Sequence, residues 1–214
     1  MSRILVIGAS QGIGRLTVQT ALERGHHVRA MARGIERLDI EHDALEKVAG
    51  DALDEEAVTA ALDDRDAVIM TLGVPINRET IMGPVTLFSR ATEVLLAAMG
   101  KAGVRRLVVL TGFGAGDSRS AMSALEILGH GAILGRIYAD KGVQEGLVKA
   151  SDTDWTIARP TILTNWKASG KYAVLPDEPS WRNGLVSRAD TADYLVRAVE
   201  DPSTIGAEPV LVRG

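Results

Sequence analysis

The sequence lacks cysteine, long apolar runs and clusters of basic residues. The absence of cysteine excludes disulfide bonds and thiolate ligands for a metal ion, and no His, Asp and Glu spacing matches a metal site. No segment reaches the roughly 18 consecutive apolar residues of a membrane-spanning helix, and Met1 leads into a strand-like run without the charged start of a leader. The formal net charge is −4 with acids and bases interspersed, which argues against nucleic-acid binding. These absences predict a cytoplasmic protein with no membrane, nucleic-acid or metal partner.

What the sequence contains is an alternation of short apolar runs with helix-like stretches. The apolar, β-branched runs predict strands at 3–8, 27–32, 45–50, 66–73, 105–112, 154–159 and 208–213. Helical spacing occurs at 12–25, 54–63, 85–102, 135–151 and 188–200. Continuously apolar strands suit a parallel sheet buried on both faces. We therefore predict a single α/β domain over 1–214, with a Rossmann-like, doubly wound and mainly parallel sheet flanked by helices.

Two stretches interrupt this alternation. Residues 113–134 are rich in Gly, Ser and Ala, and residues 165–186 carry Pro176 and Pro179. Both follow strands at the edge of the sheet where ligand crevices form in α/β proteins. We predict that both are irregular inserts that shape a pocket.

Three glycines in "RILVIGASQGIGR" follow the first predicted strand and open the first helix. In a dinucleotide-binding loop, Gly8 would allow the tight turn, and Gly12 would let a pyrophosphate approach the backbone. Gly14 would let helix and strand pack closely. The spacing is GxxxGxG rather than the commoner GxGxxG, and a structural turn is the alternative interpretation. The position of the loop, at the start of an alternating chain, favours a dinucleotide site on the helix N-terminus.

The end of the second predicted strand indicates which dinucleotide is bound. A site for NAD usually carries Asp or Glu there, whereas a site for NADP supplies Arg. The segment "VRAMARG" has no acid and carries Arg33, and Arg15 lies where it could assist. A solvated surface arginine is the alternative interpretation of Arg33. The sequence favours NADP (as NADPH), with NAD left open.

These motifs resemble the short-chain dehydrogenase/reductase superfamily, through "GASQGIG", and its atypical, NmrA-like branch, which includes flavin- and biliverdin-reductase-like proteins. The resemblance extends over nearly the whole chain, through "AGDALD", "TLG", "LVVLTGFGAGDSR", "DKGVQEGLVKASDTDWTIARPTILTN" and "SRADTADYLVRAVED". It implies that Asp51 contacts the adenine, that residues 71–73 pass under the adenine ribose, and that Pro160 and Thr161 flank the nicotinamide. The cofactor-binding set expected on this basis is Gly8, Ser10, Gln11, Gly12, Ile13, Gly14, Arg33, Asp51, Ala52, Thr71, Leu72, Gly73, Thr111, Lys141, Pro160 and Thr161.

The catalytic dyad typical of the superfamily, Tyr-x-x-x-Lys, is absent, because none of the three tyrosines has a lysine four residues on. The nearest substitute is Tyr138 with Lys141, at i and i+3 on one helical face. The NmrA-like branch carries a lysine four residues before a glutamate, which Lys141 and Glu145 match; a solvated ion pair is the alternative. Thr111 occupies the position of the family's serine, and its hydroxyl would bond a substrate carbonyl or the nicotinamide, or only satisfy the strand end. The candidate catalytic residues are Thr111, Tyr138 and Lys141.

Two functions from different classes fit these features. The first is an NADPH-dependent reductase that transfers hydride to a flavin, a quinone or another small carbonyl-like acceptor, for which alignment matters more than a dedicated proton donor. The second is a non-catalytic NADP(H) redox sensor that acts through a protein partner. The apolar segment 124–134 would serve as a partner surface, a substrate lid or a subunit contact, in a monomer or a homodimer. Sugar-nucleotide epimerisation fits less well, because its relatives keep the tyrosine dyad.

Overall fold

The computed structural model describes residues 1–75, 77 and 83–214, with the backbone alone for 129–133. Its strands are β1 (Arg3–Ile7), β2 (His27–Ala32), β3 (Leu45–Ala49), β4 (Ala67–Met70), β5 (Arg106–Leu110), β6 (Asp154–Pro160), β7 (Ile162–Thr164), β8 (Tyr172–Leu175), β9 (Leu185–Ser187) and β10 (Val210–Arg213). Its helices are α1 (Gly12–Glu23), α2 (Glu55–Leu62), α3 (Leu87–Ala102), α4 (Ala124–Lys149) and α5 (Arg188–Glu200).

Eight strands form one sheet in the order β3-β2-β1-β4-β5-β6-β10-β8. All neighbouring pairs are parallel except β10 with β8, which is antiparallel. The chain reverses its direction of progress across the sheet at β1, which pairs with both β2 and β4. Such a switch point opens a crevice at the carboxyl ends of the strands. The predicted Rossmann-like, mainly parallel sheet is confirmed.

Both faces of the sheet are buried, which explains why its strands are continuously apolar. In β1, Ile4 and Val6 pack into a core shared with α1 and α5. Leu5 and Ile7 face the opposite way, into a core shared with α2 and α3. Among the described residues, no helix combines the length and apolarity that crossing a membrane would require.

The prediction that 113–134 is irregular is wrong from residue 124 onward, because α4 begins there rather than at 135. A capping box starts this helix: the Ser123 hydroxyl accepts from the Glu126 backbone N–H, and the Glu126 carboxylate accepts from the Ser123 N–H. These reciprocal bonds satisfy two of the free N–H groups of the first turn. The stabilised start outweighs the unfavourable helix propensity of the glycines that follow.

The second predicted insert, 165–186, contains regular structure as well. Strand β8 lies within it, and β9 begins at its end and pairs with β7 in a separate two-stranded parallel sheet. These strands have three or four residues each, which is too short for a periodic pattern to stand out. Their pairing partners are distant in sequence, so the strands depend on tertiary contacts.

Candidate functional site

A cleft of about 990 Å³ runs along the carboxyl ends of the strands from β3 to β6, at the upper end of the size range of small-molecule sites. Fifteen of the predicted site residues line it: Gly8, Ser10, Gln11, Gly12, Ile13, Arg33, Asp51, Ala52, Thr71, Leu72, Gly73, Thr111, Tyr138, Lys141 and Pro160. None of the described side chains of 113–134 and 165–186 lines the cleft. Leu163 and Arg188, which flank the second of these segments, do line it.

The glycine loop after β1 has the geometry of a phosphate cradle. Gly12 has φ +57°, and a Cβ built there would meet nothing within 4 Å, so its backbone faces open space. Gln11 precedes the first turn of α1 without making a side-chain cap, and that turn carries no acidic residue. The free N–H groups at this helix start attract an anion. The loop therefore fits the pyrophosphate of a dinucleotide.

Gly14 lies beneath this loop rather than in the cleft. A Cβ at Gly14 would overlap the carbonyl oxygen of Gly8 and lie 2.7 Å from Thr71 Oγ1. The Thr71 hydroxyl itself donates to the carbonyl of Ile7 at 2.9 Å. Close packing of α1 against β1 and β4 thus requires glycine at this position.

One end of the cleft, the basic end, carries exposed arginines with carboxylates beside them. The Arg33 side chain is 76% exposed, and its Nη1 lies 3.9 Å from Asp51 Oδ2, too far for a strong hydrogen bond. Arg37, which the sequence interpretation did not include, lines the same end of the cleft. Arg15 does not assist them, because its Nε donates to Asp39 Oδ1 at 2.7 Å. Arg37 is the last residue of a short 3-10 helix, Ile35–Arg37, and nothing in its local pattern predicted its place in the cleft.

The opposite end of the cleft holds a buried cation. Lys141 is 7% exposed, and its Nζ donates to the carbonyl of Thr111 at 2.9 Å and lies 4.6 Å from the Phe88 ring centroid. Burial lowers the pKa of Lys141 to about 8, although Glu145 and Asp140 act in the opposite direction. The lysine therefore titrates close to physiological pH.

Helix α4, which carries Lys141, also holds the start of α3 through Asp140. Asp140 Oδ2 accepts from the Phe88 N–H at 2.8 Å and from the Ser89 N–H at 3.4 Å. These are among the first N–H groups of α3, whose own N-cap residue, Thr86, makes no side-chain cap. Asp140 thus acts as an N-cap supplied by another helix.

Glu145 does not form the solvated pair with Lys141 that the sequence left open. It is 1% exposed, and its two carboxylate oxygens accept from Arg159, at 3.1 Å from Nε and at 2.6 Å from Nη2. Its Oε1 also accepts from the Thr111 hydroxyl at 2.6 Å. Sequence reasoning missed Arg159; the available signal was a charged residue at the end of the apolar run "DWTIAR".

Tyr138 lines the cleft beside Thr111. Burial raises the pKa of its phenol. Its hydroxyl packs so closely on Gly112 that a Cβ there would lie 2.6 Å from the oxygen. Glycine after Thr111 is therefore what lets the ring enter the cleft.

The cleft differs from the predicted site at two further residues. Thr161 does not line the cleft, because its hydroxyl donates to the carbonyl of Leu211 at 3.0 Å and ties β6 to β10. Arg188 was not predicted but lines the cleft, and it donates to Asn165 Oδ1 at 2.8 Å. This partner is neutral, so the guanidinium charge stays available to an anion.

The comparisons with known proteins agree with this geometry. The sequence model of the NAD(P)H-binding family matches residues 8–202, and the chain belongs to that family. NAD(P)H is therefore the cofactor class of this protein. Among the described residues, no cluster of His, Asp and Glu could hold a metal ion.

Three known proteins are similar to this chain. A 3β-hydroxysteroid dehydrogenase/isomerase of Mycobacterium tuberculosis is 33% identical over 115 residues, which cover 50% of this chain and 31% of the enzyme. The structure of ChuY, an anaerobilin reductase of Escherichia coli O157:H7, matches with a TM-score of 0.80 and 24% identity over 99% of this chain and 97% of its own. A short-chain dehydrogenase/reductase of Veillonella parvula in complex with NADP matches with a TM-score of 0.82 and 15% identity. The match covers 99% of this chain and 94% of the Veillonella parvula chain. Both structural matches have the same fold as this chain.

Proposed function

We propose that this protein is an NADPH-dependent reductase that transfers hydride to a small conjugated acceptor such as a flavin or a quinone. The observation that supports this most directly is that a single cleft joins the glycine loop to the buried pair of Lys141 and Thr111. The loop would hold the pyrophosphate, and the buried pair would lie at the nicotinamide end. Both halves of a hydride-transfer site are then in one cavity.

The basic end of the cleft supports NADPH over NADH. Arg33 and Arg37 lie where a ribose phosphate would extend from the adenine end. Their side chains are free to move towards a phosphate, because the nearest carboxylates, Asp51 and Glu36, are 3.9 Å and 3.8 Å from them. Guanidinium groups bind phosphate through paired hydrogen bonds.

When bound, the reduced nicotinamide of NADPH supplies a hydride to the acceptor. Lys141 would hold the adjoining ribose hydroxyls with its ammonium group, which is itself fixed by the Thr111 carbonyl. Leu72, Leu110 and Leu163 line the same cleft, and their apolar side chains would limit the access of water to the nicotinamide. Reduction of a flavin or quinone also takes up a proton. Because burial raises the pKa of Tyr138, its hydroxyl stays protonated and can donate towards the acceptor, with water restoring the proton.

A specific observation favours the redox sensor as the second candidate. On α4, Leu125 is 80% exposed and Leu128 is 73% exposed, an arrangement that suits contact with a protein partner. The side chains of 129–133, within the segment predicted to form such a surface, lie outside the described part of the chain. A sensor would bind NADPH in the same cleft without turning it over.

Consumption of NADPH with FMN and with simple quinones separates the two candidates. A reductase oxidises NADPH only when an acceptor is present, and Lys141→Met should lower the rate at least tenfold. Ser203→Ala, which changes an exposed residue outside the cleft, serves as the control. Tight NADPH binding with no turnover of any acceptor would favour the sensor.

A further inference from the structure

The hydroxyl group of Thr111 has a fixed direction. Its oxygen lies 2.6 Å from Glu145 Oε1, and both groups are buried. A carboxylate accepts hydrogen bonds and donates none, and both oxygens of Glu145 already accept from the guanidinium of Arg159. Thr111 is therefore the donor in this bond. A hydroxyl has a single proton, so what remains for the cleft is the pair of lone pairs on the Thr111 oxygen.

The carboxylate that takes this proton is itself held in place. Arg159 is fully buried; its Nη2 donates to Glu208 Oε2 at 2.6 Å, and its guanidinium carbon lies 4.9 Å from the centre of the Trp181 ring. Glu208 Oε2 lies 2.5 Å from Lys149 Nζ. With partners on every side, the pair of Arg159 and Glu145 has little freedom to rotate, and a buried charged pair is costly to separate.

The backbone of Thr111 is fixed as well. Lys141 Nζ donates to its carbonyl oxygen, and its N–H donates to the carbonyl of Ala158 at 2.9 Å. Main chain and side chain are thus held by independent contacts in the lining of the cleft. Preorganisation of this degree is typical of a group that must meet a ligand in one orientation.

We propose that Glu145 and Arg159 are positioning residues that make Thr111 a hydrogen-bond acceptor in the cleft. The threonine binds an N–H or O–H of the ligand and does not donate to a substrate carbonyl, which was one of the roles the sequence left open. This inference rests on the proposed function. Two sources carry such a donor: the carboxamide N–H group of the nicotinamide, and the ring N–H of an acceptor such as a flavin.

The cofactor source is tested by comparing NADPH with its acetylpyridine analogue, in which a methyl group replaces the amide NH₂. The wild-type protein should bind NADPH about fivefold to tenfold more tightly than the analogue, the range of one neutral hydrogen bond. Thr111→Val should remove this preference, and Thr111→Ser should keep it. Thr191→Val changes a buried threonine in α5 and should leave the preference unchanged.

The acceptor source is tested by steady-state kinetics on the same variants. FMN carries a ring N–H, whereas a simple quinone carries only carbonyl oxygens. If the acceptor supplies the donor, Thr111→Val raises KM for FMN about fivefold to tenfold and leaves KM for the quinone unchanged. The affinities of this variant for NADPH and for the acetylpyridine analogue then equal those of the wild type. If Thr111→Val instead weakens the quinone selectively, Thr111 donates to a carbonyl and the inference is overturned.

Glu145→Gln tests the positioning role itself. A glutamine of the same size offers Thr111 an N–H donor, so the hydroxyl can turn and present its proton to the cleft. The preference that Thr111 provides, either for NADPH over its analogue or for FMN over the quinone, should then disappear or reverse, although Thr111 is still present. Thermal unfolding of each variant shows whether the fold survives; if Glu145→Gln does not fold, the Thr111 variants decide the question alone.

The outcomes distinguish failure of this inference from failure of the proposed function. A wild-type protein that binds no NADPH contradicts the proposed function. A wild-type protein that binds NADPH, but in which Thr111→Val changes no preference for either nucleotide or either acceptor, contradicts only the role assigned to Thr111, Glu145 and Arg159.

Discussion

At the scale of the residue, the buried lysine has the clearest consequence for pH dependence. Lys141 is buried, and desolvation lowers its pKa to about 8. The titratable groups that face it are Asp140 and Glu145, and both favour the ammonium form. The charged form is populated below this pKa and is lost above it.

We therefore predict that NADPH affinity falls as the pH rises through about 8. The bound cofactor is anionic, so the protonated lysine favours binding, and its loss should weaken affinity about tenfold, or ~1.4 kcal/mol. Fluorescence titrations across this pH range measure the effect. Lys141→Met should bind more weakly and lose the pH dependence; an unchanged profile in this variant would show that another group titrates.

The loop glycines give a second prediction at this scale, because two of them act by different physical causes. Gly12 faces open space at φ +57°, so Gly12→Ala costs about 1 kcal/mol in backbone strain and mainly obstructs the cradle. Gly14→Ala would overlap the Gly8 carbonyl and should destabilise the fold by about 2 kcal/mol or more.

Urea unfolding and NADPH titration of both variants check this difference. Gly12→Ala should stay folded and lose most of its affinity for NADPH, whereas Gly14→Ala should unfold at lower urea. Equal effects of the two substitutions on stability, with no effect on binding, would indicate that the loop is only a structural turn.

At the scale of the element, the start of α3 depends on a side chain from α4. Asp140 is buried and accepts from the N–H groups of Phe88 and Ser89. Asp140→Ala leaves these groups without their partner and should destabilise the protein by about 1–2 kcal/mol. Asp140→Asn keeps an acceptor oxygen and should cost less.

Asp54→Ala is the matched comparison for this prediction, because Asp54 caps its own helix, α2, from an exposed position. Chemical denaturation measures all three variants. Asp140→Ala should also raise the Kd for NADPH, because α3 positions Phe88 under Lys141, whereas Asp54→Ala should not. If both alanine variants bind NADPH as wild type does, the cap has no influence on the cleft.

Elements with a strong local signal were predictable from the sequence. Strand β1 and the loop after it were identified because a doubly buried strand is continuously apolar and the glycines follow directly. The start of α4 was missed, although Ser123 and Glu126 spell a capping box, because the glycines that follow suggested a loop. Strands β8 and β9 could not be predicted, since each is stabilised by a partner strand distant in sequence.

The candidate site divides in the same way. Residues that follow predicted strands, such as Thr71 and Thr111, were assigned to the cleft because parallel strands deliver their carboxyl ends to one edge. The contact of Glu145 with Arg159 joins a helix to a strand, and no spacing rule predicts which buried charges will meet.

At the scale of the whole molecule, the cleft depends on the order of the strands. Because β1 lies between β2 and β4, the chain leaves the switch point in both directions and a crevice opens above it. Helices α1 and α5 pack side by side. Both begin at this edge of the sheet, α1 with Gly12 and α5 with Arg188. The phosphate loop, the basic end and the buried lysine are therefore parts of one surface.

The central claim is that this surface binds NADPH in preference to NADH, and a paired titration of the two nucleotides tests it most directly. Wild type should bind NADPH at least tenfold more tightly, and Arg33→Ala should reduce affinity for NADPH about tenfold while leaving NADH unchanged. Arg105→Ala, which breaks an exposed ion pair with Asp154, is the control for loss of surface charge. Equal affinity for both nucleotides, unaffected by Arg33→Ala, would contradict the account of the basic end, and no binding of either would contradict the account of the cleft.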